Sequence, residues 1–105
     1  MRTIEELEHK AHRVLRREGA RKAALVYEQM CRDLPDSARH WALLGSVLLA
    51  AHRTDEAVLA LRTAVWLRMR EGDLRRAAAL ARVLLRHADG DRTAERALER
   101  FAQAA

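Results

Sequence analysis

The chain has 105 residues, half of them apolar, a third charged and 4% aromatic, with a formal net charge of +5. One proline, four glycines and this apolar share exclude a disordered or collagen-like chain. A lone cysteine, Cys31, excludes an internal disulfide, so stability must come from packing and a reducing compartment is expected.

The opening MRTIEELEHKAHRV has no apolar core of the kind a secretory signal needs, and the longest apolar run, Val47 to Ala51, is far too short for a bilayer. The expectation is a cytoplasmic protein with no membrane contact. Residues 1–35 carry 8 basic and 6 acidic side chains, residues 36–71 carry 5 and 4, and residues 72–105 carry 7 and 5. A nucleic-acid footprint concentrates its charge on one face or tail; an even spread disfavours it, and a bias to Arg (18 of 20 basic residues) more often reflects a GC-rich genome than a ligand.

In chain order, apolar residues recur at helical spacing throughout, and no segment alternates long enough for a strand. Breaks fall at Gly19, Leu34-Pro35-Asp36, Arg53-Thr54-Asp55, Gly72-Asp73 and Asp89-Gly90-Asp91, which predicts six short helices in one domain. Thr3 with Glu6 fits a capping box, and Asp36, Thr54, Asp73 and Asp91 are the expected caps of later helices. The first helix places Ile4, Leu7, Ala11, Val14 and Leu15 on one stripe; the last does so with Ala94, Ala97, Leu98, Phe101 and Ala102. The third and fourth helices, with HWALLGSVLLAAH and AVLALRTAVWL, are apolar nearly all round. Solvated ends around a covered middle suit a complete stack of helix pairs.

The second helices repeat. From Gly19, Arg53 and Gly90, the residues Ala23, Ala57 and Ala94 fall four places on, Tyr27, Leu61 and Leu98 eight, and Met30, Ala64 and Phe101 eleven. The first two repeats are offset by 34 residues and the next by 37, with the three extra residues assigned to the end of the fourth helix. Among the first helices Leu7, Trp41 and Ala78 correspond, as do Val14, Leu48 and Leu85. Small alanines let two helices approach closely, Gly45 removes a Cβ where helices cross, and Trp41 fills the gap between them.

Trp41-x2-Leu44-Gly45-x2-Leu48 followed by Ala57-x3-Leu61-x2-Ala64 resembles a tetratricopeptide repeat. Ala23-x3-Tyr27-x2-Met30 with Pro35, and Ala94-x3-Leu98-x2-Phe101, are similar. The third repeat departs at Ala78, Ala81 and Arg82, where Trp, Leu and Gly are expected. The resemblance covers the chain as three repeats (about 3–35, 36–71 and 73–104) and implies an all-α, right-handed α-solenoid of antiparallel helices. It also implies a non-enzymatic, bacterial adaptor or chaperone-like module that holds a peptide or helix of another protein in a concave groove.

That groove maps onto Glu8, His12, Arg39, Ala42, Leu43, Ser46, Leu49, Ala50, Arg76, Ala79, Leu80 and Val83, together with Glu5, Arg16 and His87. Ala42, Ser46 and Ala50 form a small-residue stripe, with acidic groups of a ligand expected near Arg39 and Arg76. Five positions that hold a terminal carboxylate in one family subtype correspond to Glu8, His12, Leu43, Arg76 and Leu80. Only Arg76 keeps the charge and Glu8 reverses it, so that ligand is rejected.

Catalysis finds no support: there is no Gly-rich phosphate loop, and Cys31 sits at a packing position. His9 and His12 with Glu5 and Glu8 have metal-ligand spacing but lie on a solvated face, so no metal or other cofactor is expected. His40, His52 and His87 are read as surface or cap residues. Trp66, with Leu67 and Met69, lies late in the fourth helix beside the three-residue insertion: either these side chains pack against the fifth helix or, if the fourth outruns its partner, they form a patch for a homodimer or second partner. The rival functions are a nucleic-acid-associated basic helical domain and a homodimerising module of a larger regulatory protein.

Overall fold

A computed structural model describes residues 3–105, and every regular element in that span is an α-helix. These are α1 (Ile4–Glu18), α2 (Ala20–Asp33), α3 (Ala38–Ala50), α4 (Thr54–Arg70), α5 (Leu74–His87) and α6 (Arg92–Ala104). Links of one to four residues keep consecutive helices side by side, and α4 packs on α6 as well as on α3 and α5. The molecule is a slab of 42 × 27 × 18 Å. Its radius of gyration of 14.0 Å exceeds the roughly 13 Å of a rounded domain of this length.

Each break has a local cause. Gly19 alone links α1 to α2 at φ 92°, a conformation that a Cβ would disfavour. The Ser37 N–H bonds to the Leu34 carbonyl at 3.1 Å, closing a four-residue turn with Pro35 in its preferred second place. Asp36 is therefore inside the turn, and Ser37 rather than Asp36 caps α3. The α3–α4 and α4–α5 turns share one design. The Arg53 N–H reaches Leu48 and the His52 N–H reaches Leu49, as the Asp73 N–H reaches Arg68 and the Gly72 N–H reaches Met69. This is the Schellman closure, with its left-handed residue at His52 (φ 61°) in one turn and Gly72 (φ 79°) in the other.

That closure is short enough to make Arg53 the residue flanking α4, so the cap expected of Thr54 does not form. Arg53 turns its guanidinium to Glu56 and, at 3.4 Å, to Glu28 of α2. Thr3, Asp73 and Asp91 cap as read from the sequence, each accepting from the N–H three residues on.

Packing follows the small residues. Ala23, Ala57 and Ala94 are fully buried, as are Met30 and Leu61. A Cβ on Gly45 would meet Cγ and Cδ2 of Leu61 at 2.7 Å, so α3 and α4 cross where no side chain intervenes. Thr3, Ser37 and Asp73 cap the first helices at offsets of 34 and 36 residues. This register sets the buried Ala11, Gly45 and Ala81 at equivalent places, so Ala81, not Arg82, stands at the glycine position. Two rather than three of the extra residues lie between the starts of α4 and α5; the remainder loosens the turn into α6.

The interior forms two clusters. One joins α1 to the start of α4 around Tyr27, Met30, Leu44 and Leu48; the other joins α4 to α6 around Leu61, Val65, Met69 and Leu84. Leu49 borders both. α3 packs on α2 and α4, and α4 on α3, α5 and α6, so each is covered on more than one side, while Ser46 and Ala50 of α3, and Leu59 and Trp66 of α4, are exposed.

Candidate functional site

The first helices of adjacent pairs, α3 and α5, leave a cleft of about 310 Å³ between them. Arg39, Ala42, Leu43 and Ser46 enter it from α3, at helical spacing along one face. Arg76, Ala79 and Leu80 enter from α5, and Arg68 enters from the end of α4. The small residues Ala42, Ser46 and Ala79 leave room, Leu43 and Leu80 make the floor apolar, and the arginines gather at one end.

Seven of the fifteen groove residues implied by the resemblance thus share one cleft. The other eight do not line it; Glu5, Arg16 and His87 are exposed. Leu49 is half-buried between the two core clusters, and Val83 packs against the second of them. Ala50 and His12 are exposed, and Glu8 is engaged elsewhere.

Glu8 Oε1 accepts from Arg39 Nη1 and lies within hydrogen-bond reach of His40 Nε2, each at 2.8 Å. His40 is the correction here: it is buried, not on the surface. Its other ring nitrogen lies 2.6 Å from Ser37 Oγ. With a neutral ring, one chain of donors satisfies the group: the Ser37 hydroxyl donates to Nδ1, and Nε2–H donates to Glu8. The bond from His40, with Arg39 beside it, holds the Glu8 carboxyl below the usual carboxylate range against the opposing effect of burial. The pairing of α1 to α3 therefore also sets where the Arg39 head group stands at the cleft.

The other two cations are held differently. Arg76 Nη1 donates to Asp73 Oδ2 at 2.9 Å, and that bond is the main cause of the lowered Asp73 pKa. Arg68 is mostly buried, with Nη1 at 3.5 Å from Glu71 and 3.8 Å from Asp73. Its buried Nε has no hydrogen-bond partner among the described residues. Sequence reasoning missed Arg68; the signal was a lone cation inside the apolar run Val65-Trp66-Leu67-Arg68-Met69.

On the opposite side of α4, Trp66 is half-exposed with the Arg70 guanidinium 5.1 Å from its ring centroid. Met69 and Leu67 are corrections: both are buried, because the end of α4 packs against α5 and α6 instead of overhanging. Trp66 stands without them. Cys31 is buried, and burial, with Glu28 adding to it, pushes its thiol up to about 12, so it stays protonated at neutral pH. Among the described residues no three His, Cys, Asp or Glu side chains converge as metal ligands, and Glu8 is turned away from His9 and His12 to His40. No helix among those residues is long and apolar enough to cross a membrane.

The sequence matches no family model, and no curated protein matches it.

Proposed function

We propose that the chain is a protein–protein interaction module of three tetratricopeptide-like repeats, wound as a right-handed solenoid and working in the cytoplasm as an adaptor. The cleft between α3 and α5 receives a helix or extended segment of the partner. The observation that carries this reading is the cleft itself: an apolar floor with small side chains, open to solvent, formed by equivalent helices of neighbouring pairs. The recurrent buried Ala11, Gly45 and Ala81, and the packing of each helix pair on the next, support the repeat assignment.

The test is affinity capture from the source organism with wild type, Ser46→Arg and Leu59→Asp. Ser46 and Leu59 are both exposed, so neither change disturbs the core. Partner capture should be lost with Ser46→Arg and kept with Leu59→Asp. Equal capture by wild type and Ser46→Arg overturns the assignment of the cleft.

A second reading is homodimerisation through the outer face of α4. Leu59 and Trp66, two turns apart on that helix, are 60% and 51% exposed, and large apolar side chains on one exposed stripe favour association.

A further inference from the structure

We propose that two copies of the chain pair antiparallel, α4 on α4, with Asp55 of each copy meeting Arg70 of the other. The inference rests on the dimer reading of the outer face of α4 and adds how the two copies are arranged. Asp55, Leu59, Thr63, Trp66 and Arg70 follow at steps of four, four, three and four residues, so they share one face of the helix. Asp55, Leu59, Trp66 and Arg70 are exposed. α4 carries five charged side chains. Three are paired within the chain: Glu56 with Arg53, Arg62 with Asp91 and Arg68 with Glu71. The two without an ion pair among the described residues, Asp55 and Arg70, bound the apolar stripe. The helix dipole favours an acid at the start and a base at the end, but it does not place both on the stripe of Leu59 and Trp66.

The stripe is self-complementary. Its midpoint falls between Arg62 and Thr63, with Leu59 and Trp66 about 5 Å to either side and Asp55 and Arg70 about 11 Å to either side along the helix. A two-fold axis through that point sets Leu59 against Trp66 and Asp55 against Arg70, twice over. Parallel pairing in register would set Asp55 on Asp55 and Arg70 on Arg70, so charge selects the antiparallel arrangement. Beside Trp66 lies an open hollow of about 240 Å³ lined by Arg62, Thr63, Trp66 and Thr93, which gives Leu59 of the second copy a seat. The polar groups at the centre are bonded within the chain. Thr63 Oγ1 donates to the Leu59 carbonyl at 2.9 Å, and Arg62 Nε donates to Asp91 at 2.7 Å. A second copy that covers them leaves these donors satisfied.

The test is sedimentation equilibrium over a concentration series with wild type, Trp66→Asp, Asp55→Arg, Arg70→Asp and the double variant Asp55→Arg with Arg70→Asp. Wild type should dimerise, and Trp66→Asp should abolish the dimer. Each charge reversal alone should weaken the dimer about tenfold or more, since it creates two like-charged pairs. The double variant, and an equimolar mixture of the two single reversals, should recover the dimer, because every pair is again of opposite sign. Circular dichroism melts show whether each variant is folded. Where a reversal is unfolded, cysteines decide. On oxidation, Asp55→Cys and Arg70→Cys chains should form a mixed disulfide, and neither should link to its own kind; buried Cys31 does not compete. A dimer lost on Trp66→Asp but unmoved by the reversals, weakened without recovery in the mixture, or cross-linked like to like overturns the antiparallel pairing and leaves the dimer reading standing. A wild type that is monomeric throughout, or a dimer indifferent to Trp66→Asp, overturns both.

Discussion

Gly45 of α3 lies so close to Leu61 of α4 that a β-carbon on the glycine would stand 2.7 Å from two carbons of the leucine side chain. Leu61 is fully buried, so it has no free space to yield into. Gly45→Ala gains about 1 kcal/mol in helix propensity but suffers an overpacking cost of about 1–3 kcal/mol. A net destabilisation of about 1–2 kcal/mol is expected in urea unfolding. Combining it with Leu61→Ala should give less than the sum of the two single losses, because the shortened side chain removes the clash. Additive losses would show that the two helices do not meet at this pair.

Glu8 joins α1 to α3 through His40 and Arg39. Its pKa is lowered in the folded chain, chiefly by the bond from His40, so its stabilisation is present above the ordinary glutamate value, about 4.3, and is lost as pH falls through the folded value. Glu8→Gln should cost about 1 kcal/mol at neutral pH, since the amide oxygen still accepts from His40 but the charge is gone. The gap between wild type and variant should be flat above pH 5 and close in acid. Melting temperatures measured between pH 3 and 7 check this; a gap that is constant to pH 3 contradicts it.

His52 holds a left-handed conformation that Gly72 takes in the equivalent turn after α4. The left-handed region costs a residue with a Cβ about 1–2 kcal/mol, whereas glycine enters it freely but loses more entropy on folding. His52→Gly should therefore stabilise the chain by about 0.5–1 kcal/mol. Since His52 is exposed, no packing offsets the gain. A loss of stability in thermal or urea unfolding would refute this account of the turn.

Trp66 contributes little to the core, with half its surface in solvent and Arg70 over its ring. Trp66→Asp should fold with stability within about 0.5 kcal/mol of wild type. Light scattering then decides the role of this face. The dimer reading expects twice the 12.0 kDa chain mass for wild type and the single mass for the variant. A wild type of single mass removes that reading and leaves the cleft as the interaction surface.

What could be read from the residues alone is what short-range physics controls. Six helices, their breaks, the caps at Thr3, Asp73 and Asp91, and the burial of Ala23, Ala57 and Ala94 follow from periodicity, turn residues and side-chain size within a few positions along the chain. The seven residues that α3 and α5 bring to the cleft were named through the family resemblance; periodicity alone says only that residues at such spacing share one face of their helix.

Tertiary structure decided the rest. Whether Met69 points outward or inward depends on how the end of α4 meets α5 and α6, and packing turned it inward. That His40 is a buried link rather than a surface group depends on Glu8, 32 residues away, arriving from α1. Arg68 reaches the cleft from α4, a helix outside the pair that forms the walls. Helical periodicity states which side chains share a face; it does not state which distant face they meet, because that is settled only when the close approach of Gly45 to Leu61 and its counterparts sets the helices against one another.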